Sequence, residues 1–494
     1  MTKSTMTRRE MLETVGTVAA MSVVAGPFTG ALADGFTVSA QALPLNAIAG
    51  VDRVVMDHGK TYLNGWAGYG EPPRRGRGRR GEAPAPPVNP GPQPSTTWSK
   101  VSGPGSVTFA DPKAAVTTAT FSATGAYVLQ VTADNGETKA TSTLNVQVEL
   151  PPPPTQLTPV VTKRHAINSP LWSARTKTLV VSWIPHCVDQ INRNDLWQGP
   201  GGIDNFIEAA KALKGEPHGA HKGYVFSNAW VHQTVEAMSL ALMVDPQGDK
   251  EIIDAQVKMK ATLEDWIPKI LAAQHPDGYL HTAFTLRDTN RWPDRWTPQG
   301  RGNHEGYVAG YFIESAINHY TMTDHKDARL YNAARKLADC WADHIGPAPK
   351  QEWFDGHQEM EQALVRFGRF VNEVEPASTG SGQRGPGDRY IALAKFLLDC
   401  RKNGTEYDQS HLPVVQQYEA VGHAVRAVYT YSGMADVAVE THDVDYQSAV
   451  KSLWDNIVQK KYYVTGGVGS GETSEGFGPN YSLRNNSYCE ACSS

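Results

Sequence analysis

"HEGYVAGYFIESAINHY", residues 304–320, sets the fold class for most of this chain. Val308, Phe312, Ala316 and Tyr320 recur every four residues, with Ile313 and Ile317 alongside. An α-helix turns once in 3.6 residues, so this spacing gathers the apolar groups on one face and predicts an amphipathic helix. "DARLYNAARKLADCWADHI" repeats the pattern through Leu330, Ala334, Leu337 and Trp341. Similar stretches occur at 228–245, 250–273, 357–370, 388–403, 414–433 and 445–458, joined by loops carrying Gly, Pro and Asp. Helix after helix of this kind builds either an α-solenoid or a closed toroid of helical hairpins. No fixed-length self-similar repeat recurs, which counts against the solenoid.

Upstream of about residue 161 the period changes to two. In "GAYVLQVTADNGETKATSTLNVQVEL", Tyr127, Leu129, Val131 and Ala133 alternate with Val128, Gln130 and Thr132. A turn signal follows at Asn135-Gly136, and alternation resumes through Leu144, Val146 and Val148, which reads as a β-hairpin. With "TWSKVSGPGSVTF" and "TTATFSATG" before it, residues 45–149 read as an immunoglobulin-like sandwich. These stretches also resemble PKD-type domains, which are often spacers and sometimes carbohydrate or protein binders. "GEPPRRGRGRRGEAPAPPVNPGPQPS", residues 70–95, is an Arg- and Pro-rich insert whose composition predicts a disordered, solvated loop. "PPPPTQLTP" makes residues 150–160 a semi-rigid linker and a domain boundary.

The chain has 494 residues, 40% hydrophobic and 20% charged, with a formal net charge of −5 that argues against nucleic acid as a partner. Its five cysteines are too scattered for a disulfide framework, and Cys340 and Cys400 fall at apolar helical positions that predict inert burial. "MTRREMLETVGTVAAMSVVAG" pairs Arg8 and Arg9 ahead of a short apolar stretch. It resembles a bacterial twin-arginine signal, so residues 1–42 are expected to be a signal peptide and leader, and the mature protein periplasmic or extracellular. Nothing else approaches a transmembrane segment, and no stable membrane insertion is expected after signal removal.

Polar residues cluster where helices are expected to begin. "RGNHEGY" places His304 and Glu305 at one start, "DGHQEMEQAL" places His357, Gln358 and Glu359 at another, and "QYEAVGHAVRA" sets His423 one turn from Arg426. Three histidines opening successive helices suggest a shared rim where loops converge on a polar pocket. Together with Tyr, Gln and Asp near Trp-bearing segments, they suit the hydroxyls and ring faces of a sugar. In the closing stretch, Glu475 lies in the glycine-flanked "SEGFGP", as either a general acid or an ordinary loop carboxylate. Glu490 and Cys492 are two apart, so an extended backbone sends both side chains to one face, which suits a single metal ion.

Taken together, "DGYLHT", "HEGYVAGYFIESA", "GHQEMEQALVRF", "YEAVGHAVRAVYTYSGMADVA", "YVTGGVGS" and "EGFGPNYSLRNNSYCEACSS" resemble glycoside hydrolase family 127 from about Asn168 onward. The resemblance implies an (α/α)6-barrel catalytic domain over 161–494, incomplete at its C-terminus. The whole is then a multidomain protein, an all-β sandwich followed by an all-α barrel. It also implies retaining removal of non-reducing-end β-L-arabinofuranosyl groups from an arabinose-containing glycan or oligosaccharide, with Zn2+ as cofactor. By motif it assigns Glu475 as general acid/base, Glu490 and Cys492 as two of four zinc ligands, and His304, His357 and His423 as sugar contacts. Cys489 falls at a variable position, and Cys187 stands near where relatives can carry a sugar-binding glutamine. The remaining two ligands, an adjacent cysteine pair that includes the nucleophile, are expected beyond residue 494, which would make the chain a fragment of a longer product. In the implied mechanism a zinc-activated thiolate attacks the anomeric carbon while Glu475 protonates the leaving oxygen, then acts as base toward water.

Two other readings compete. An (α/α)6 enzyme such as an unsaturated uronide hydrolase needs no Cys/Glu metal pair, and a secreted glycan-binding protein needs no catalysis. The export expectation has its own test: replacing Arg8 and Arg9 by lysine should leave the precursor in the cytoplasm, as measured by cell fractionation.

Overall fold

Among the described residues the period-two segments form nine strands: β1 (Leu45–Ile48), β2 (Arg53–Met56), β3 (Thr61–Asn64), β4 (Trp66–Tyr69), β5 (Ser95–Ser102), β6 (Val107–Phe109), β7 (Val116–Phe121), β8 (Gly125–Asp134) and β9 (Lys139–Glu149). The structure, a computed structural model, describes residues 43–72, 91–154, 164–193, 201–286, 294–375, 385–470 and 475–482. The leader, most of the Arg- and Pro-rich insert, and Cys489, Glu490 and Cys492 lie outside the described residues. β8 and β9 pair antiparallel from Gly125–Val148 to Asp134–Lys139, the hairpin that the alternation predicts. Four strands run in the order β2-β9-β8-β5, three in the order β3-β7-β6, and β1 pairs with β4. Trp98, Tyr127, Leu129, Val131, Leu144, Val146 and Val148 share one core with Val55, Leu63 and Ala119, so both larger sheets turn their apolar alternates inward.

The helical segments follow: α1 (Pro170–Thr178), a π-helical turn at Leu179–Trp183, α2 (Ile184–Ile191), α3 (Ile203–Leu213), α4 (Asn228–Met243), α5 (Lys250–Ala272), α6 (Thr282–Thr285), α7 (Glu305–Met322), α8 (Arg329–His344), α9 (Met360–Val374), α10 (Asp388–Asp399), α11 (Ala424–Thr441) and α12 (Val444–Lys460). Helices α4, α7, α9 and α11 pack side by side, and α5, α8, α10 and α12 back them, each of the first four forming a hairpin with the long helix that follows it. The predicted apolar face of α7 is the buried one: Val308, Phe312, Ile313, Ala316 and Ile317 all enter the core. The stretch 414–433 departs from its expectation. Its helix begins only at Ala424, because Gly422 turns the chain at φ 77° and residues 414–416 close a 3-10 turn instead.

One helix also serves the sandwich. β2 lies at a sheet edge, bonded on one side to β9 and on the other facing α12. Val54 N–H donates to Ser452 Oγ and Met56 N–H to Ser448 Oγ, each at 2.9 Å. Four residues along a helix rise about 6 Å and two along a strand about 6.6 Å, so an i, i+4 serine pair matches alternate strand amides. Ser452 Oγ also lies 3.1 Å from Val54 O and can donate back to it. An edge that would otherwise offer open donors is thereby closed. Ser452→Ala should leave a buried amide unpaired and lower stability by about 1–3 kcal/mol in urea unfolding, with the fold retained.

Candidate active site

The loops that open the inner helices are held by buried charge. Glu305, the first residue of α7, accepts from Tyr279 Oη at 2.7 Å and from Trp296 N at 2.8 Å. Burial pushes its carboxyl up to about 8. Asp355 accepts from Tyr307 N at 3.0 Å and from His357 N at 3.1 Å, tying the approach to α9 onto the first turn of α7. Burial raises this carboxyl to about 7. Arg401, fully buried, donates to Asp355 O and Asp408 O, both at 2.7 Å, and lies 3.4 Å from Glu361. Gln358 donates to Asp408 O at 2.6 Å. These contacts fix three loops against one another before any ligand is considered.

Above them the three histidines meet. The His304 and His357 ring centroids are 4.9 Å apart, and those of His357 and His423 5.8 Å. The helices they precede, α7, α9 and α11, are alternate rather than successive, since α8 and α10 lie behind. Tyr307 packs edge-on to His357 at 4.5 Å, and Tyr429, whose hydroxyl bonds that of Tyr311, approaches the same ring at 5.9 Å. Glu475 joins this group: its Oε2 lies 2.9 Å from His423 Nε2 and accepts from Tyr407 Oη at 3.3 Å. His423 caps α11, its Nδ1 accepting the Arg426 amide at 3.5 Å, so Nε2 carries the hydrogen directed at Glu475. The Arg426 guanidinium stacks 4.7 Å over Tyr407 and donates to Gly356 O at 2.7 Å.

Glu475 sits at φ 65°, a left-handed conformation that costs a non-glycine residue energy. Its backbone is held on both sides. Ala424 N–H donates to Glu475 O, Phe477 N–H to Gly422 O and Ser470 N–H to Gly476 O, each at 2.9 Å. Burial, with the Arg426 cation adding to it, depresses His304 to about 3 and His423 to about 4, the Glu475 carboxylate opposing the shift at His423. Burial also places His357 well below the usual imidazole range. All three are therefore neutral at neutral pH; Nδ1 of His304 donates to Gly302 O at 2.8 Å and Nδ1 of His357 to Gln358 O at 3.1 Å, which leaves Nε2 of each as an acceptor.

The structure thus brings His304, His357, His423 and Glu475 together, whereas Glu490 and Cys492 lie outside the described residues. Among the described residues no group of three His, Cys, Asp or Glu side chains is placed to hold a metal. Cys340 and Cys400 are buried, and desolvation raises both thiols to about 12, which leaves them inert. Cys187, half-buried on α2, lines a groove of about 390 Å³ with Trp183, Trp230, Gln190 and Gln233. Tyr407, Asp355 and Arg401 are participants that sequence reasoning missed. Tyr407 lies in a three-residue turn, Glu406–Asp408, where no periodicity marks it.

The profile described as "Beta-L-arabinofuranosidase, GH127 catalytic domain" matches residues 166–494. This chain belongs to that family. It is 30% identical over 367 residues to the non-reducing end β-L-arabinofuranosidase of Bifidobacterium longum subsp. longum, spanning 66% of this chain and 51% of that protein. The crystal structure of a family 127 β-L-arabinofuranosidase from Geobacillus stearothermophilus T6 is similar at TM-score 0.55 and 29% identity, over 66% of this chain and 50% of that one. A second family 127 β-arabinofuranosidase structure matches at TM-score 0.52 and 35% identity, over 65% of this chain and 46% of that one. The chain thus spans about half the length of these relatives.

The buried acids beneath the rim of this family member make its stability pH-dependent in a stated direction. Glu305 and Asp355 hold protons more tightly folded than unfolded, so their stabilisation is full below the unfolded carboxyl range and is lost as pH rises through about 7 to 8. The depressed histidines act oppositely, costing stability as pH falls below the unfolded imidazole value of 6.5 toward about 4. Between about pH 4.5 and 6.5 the two sets offset; above 6.5 only the acids act. Thermal midpoints should therefore fall from pH 6.5 to 8. Glu305→Gln, which mimics the protonated acid, should flatten that fall in differential scanning fluorimetry.

Proposed function

We propose that this protein is an exported β-L-arabinofuranosidase in which Glu475 is the general acid/base and His304, His357 and His423 hold the sugar. The observation that carries the reading is the carboxylate of Glu475, bonded to His423 and Tyr407 at the edge of three neutral histidines, in a chain of this glycosidase family. A furanose presents hydroxyl donors, and Nε2 of the neutral His304 and His357 imidazoles can accept from them without the cost of burying a charge. Tyr307, Tyr311 and Tyr429 offer ring faces and hydroxyls beside the same pocket. The carboxyl of Glu475 is half-exposed, so a glycosidic oxygen can reach it from solvent. Glu475 protonates that oxygen as its bond to the sugar breaks and a cysteine thiolate bonds the anomeric carbon in its place. The Glu475 carboxylate then takes a proton from the water that displaces the thiolate and releases the sugar, the two-step logic of retaining hydrolysis.

The sandwich over 45–149 and the helical region over 161–494 are proposed as two domains, the latter belonging to an (α/α)6 barrel, with residues 1–42 directing export. Glu490 and Cys492 carry the carboxylate and thiolate donors that zinc favours. Zinc, when bound, would keep a cysteine nucleophile in its thiolate form. His304, His357 and His423 orient the sugar, and Tyr407 and His423 hold the carboxylate of Glu475 in line.

The test uses protein expressed from the native gene. Glu475→Gln should lower turnover of an unactivated arabinofuranoside by about 100-fold or more while retaining metal. An aryl arabinofuranoside, whose leaving group needs little protonation, should lose less. Cys492→Ala should lose zinc by elemental analysis and both activities with it. Near-normal turnover of the unactivated substrate by Glu475→Gln would remove Glu475 from the chemistry.

A further inference from the structure

Residues 404–423 supply two of the groups around Glu475, Tyr407 and His423, yet carry only two 3-10 turns of regular structure, Glu406–Asp408 and Val414–Gln416. Side chains do the holding. Gln409, fully buried at a left-handed φ of 54°, directs its amide Nε2 to Glu406 O at 3.2 Å, Val421 O at 2.9 Å and His423 O at 3.4 Å. Gln417, also buried, donates to Gln409 O and Leu412 O, both at 2.8 Å. Its neighbour Tyr418, buried in the helical core, reaches the sandwich: its hydroxyl accepts the Tyr62 amide of β3 at 3.1 Å. The Arg53 guanidinium of β2 lies 4.3 Å above the Tyr418 ring. Arg53 is itself immobilised, donating from Nε and a terminal nitrogen to Val51 O at 2.9 and 2.7 Å, and to Tyr62 O at 2.8 Å.

We infer that the β-sandwich is a positioning element of the candidate active site. Arg53 and the Tyr62 amide fix Tyr418. Gln417, adjacent to Tyr418, fixes Gln409, and Gln409 fixes the carbonyls that flank Tyr407 and His423, the two partners of Glu475. Apart from the Arg53–Tyr418 stacking and the chain connection from Tyr418 to Gln417, each link is a hydrogen bond to a buried or part-buried backbone group, which has little water to turn to if the link breaks. Apart from its two 3-10 turns the segment has no strand ladder or α-helix of its own, so its path depends on side-chain anchors: Tyr418 on the sandwich, Arg401 and Gln358 at Asp408, and Asn456 at Ala420. The sandwich is then more than a spacer or a glycan hook: without its grip the carboxylate of Glu475 keeps its chemistry but loses its aim. This inference rests on the reading of Glu475 as acid/base.

Three variants of the native-gene protein test it: Tyr418→Leu, Tyr418→Phe, and Ser452→Ala, which loosens the same seam at α12 without touching segment 404–423. Hydrogen–deuterium exchange needs no substrate and is read first. Tyr418→Leu should raise exchange in peptides over 404–423 and 475–482 while those of α4 and α7 stay protected. Tyr418→Phe, which keeps the ring under Arg53, should show a smaller rise, and Ser452→Ala none in these peptides. With an arabinofuranoside, Tyr418→Leu should lower kcat by roughly 10- to 100-fold, as a small misplacement of a reacting group does. KM should be little changed, and Tyr418→Phe should recover most of the loss. Unchanged exchange over 404–423 in Tyr418→Leu, or in Tyr418→Phe should the leucine variant not fold, would overturn the inference. So would a kcat loss that Ser452→Ala shares. If the unaltered protein hydrolyses no arabinofuranoside, the proposed activity fails, and the exchange pattern still decides whether the sandwich holds the segment.

Discussion

Taking ionisable side chains out of water at the starts of the inner helices is the constraint on which the rest of this architecture depends. A buried carboxyl or guanidinium is tolerated only when its hydrogen-bonding capacity is met. Glu305, Asp355 and Arg401 meet theirs largely on backbone groups of neighbouring loops, so each satisfied charge is also a fixed loop. The three histidines converge because the segments that carry them have been pinned from below. Geometry at the rim follows from bookkeeping beneath it.

The same desolvation gives the rim its chemical character. Imidazoles kept neutral and one half-exposed carboxylate make a surface suited to a polar, uncharged ligand. Arg426 is the permanent cation nearby, and it is occupied: its charge faces the Tyr407 ring and one of its nitrogens bonds a backbone oxygen. It therefore shapes the field without offering itself as an anion site.

Periodicity made the helices and the β8–β9 hairpin legible, because burial of one face is written directly into spacing. It misplaced the start of α11, where Val414, Val415, Tyr418 and Val421 continue an apolar pattern that the turn at Gly422 breaks. The polar residues at helix starts were visible as a group, but their division of labour was not. Glu305, Gln358 and Glu359 look like rim residues in the sequence, yet they are buried scaffold beneath it, while His304, His357 and His423 face one another. That the histidines open every second helix depends on how hairpins nest, which is a tertiary fact. Tyr407 was invisible because its contact with Glu475 spans 68 residues of sequence and no local pattern announces it.

The serine-capped edge of β2 has a consequence in time. Val54 and Ser452 are 398 residues apart, so the strand leaves the ribosome long before the helix that completes it. At ~5–20 residues per second that interval is roughly 20 to 80 s. Throughout it, two strand amides point outward with nothing of their own chain to bind, the arrangement by which one sheet recruits a strand from another molecule. Assembly of the seam is accordingly among the last and most non-local events of folding, in a class of contact that forms slowly. Conditions that delay α12, such as a stalled ribosome or a destabilised outer helix, should expose the nascent sandwich to association with its own copies before the site exists.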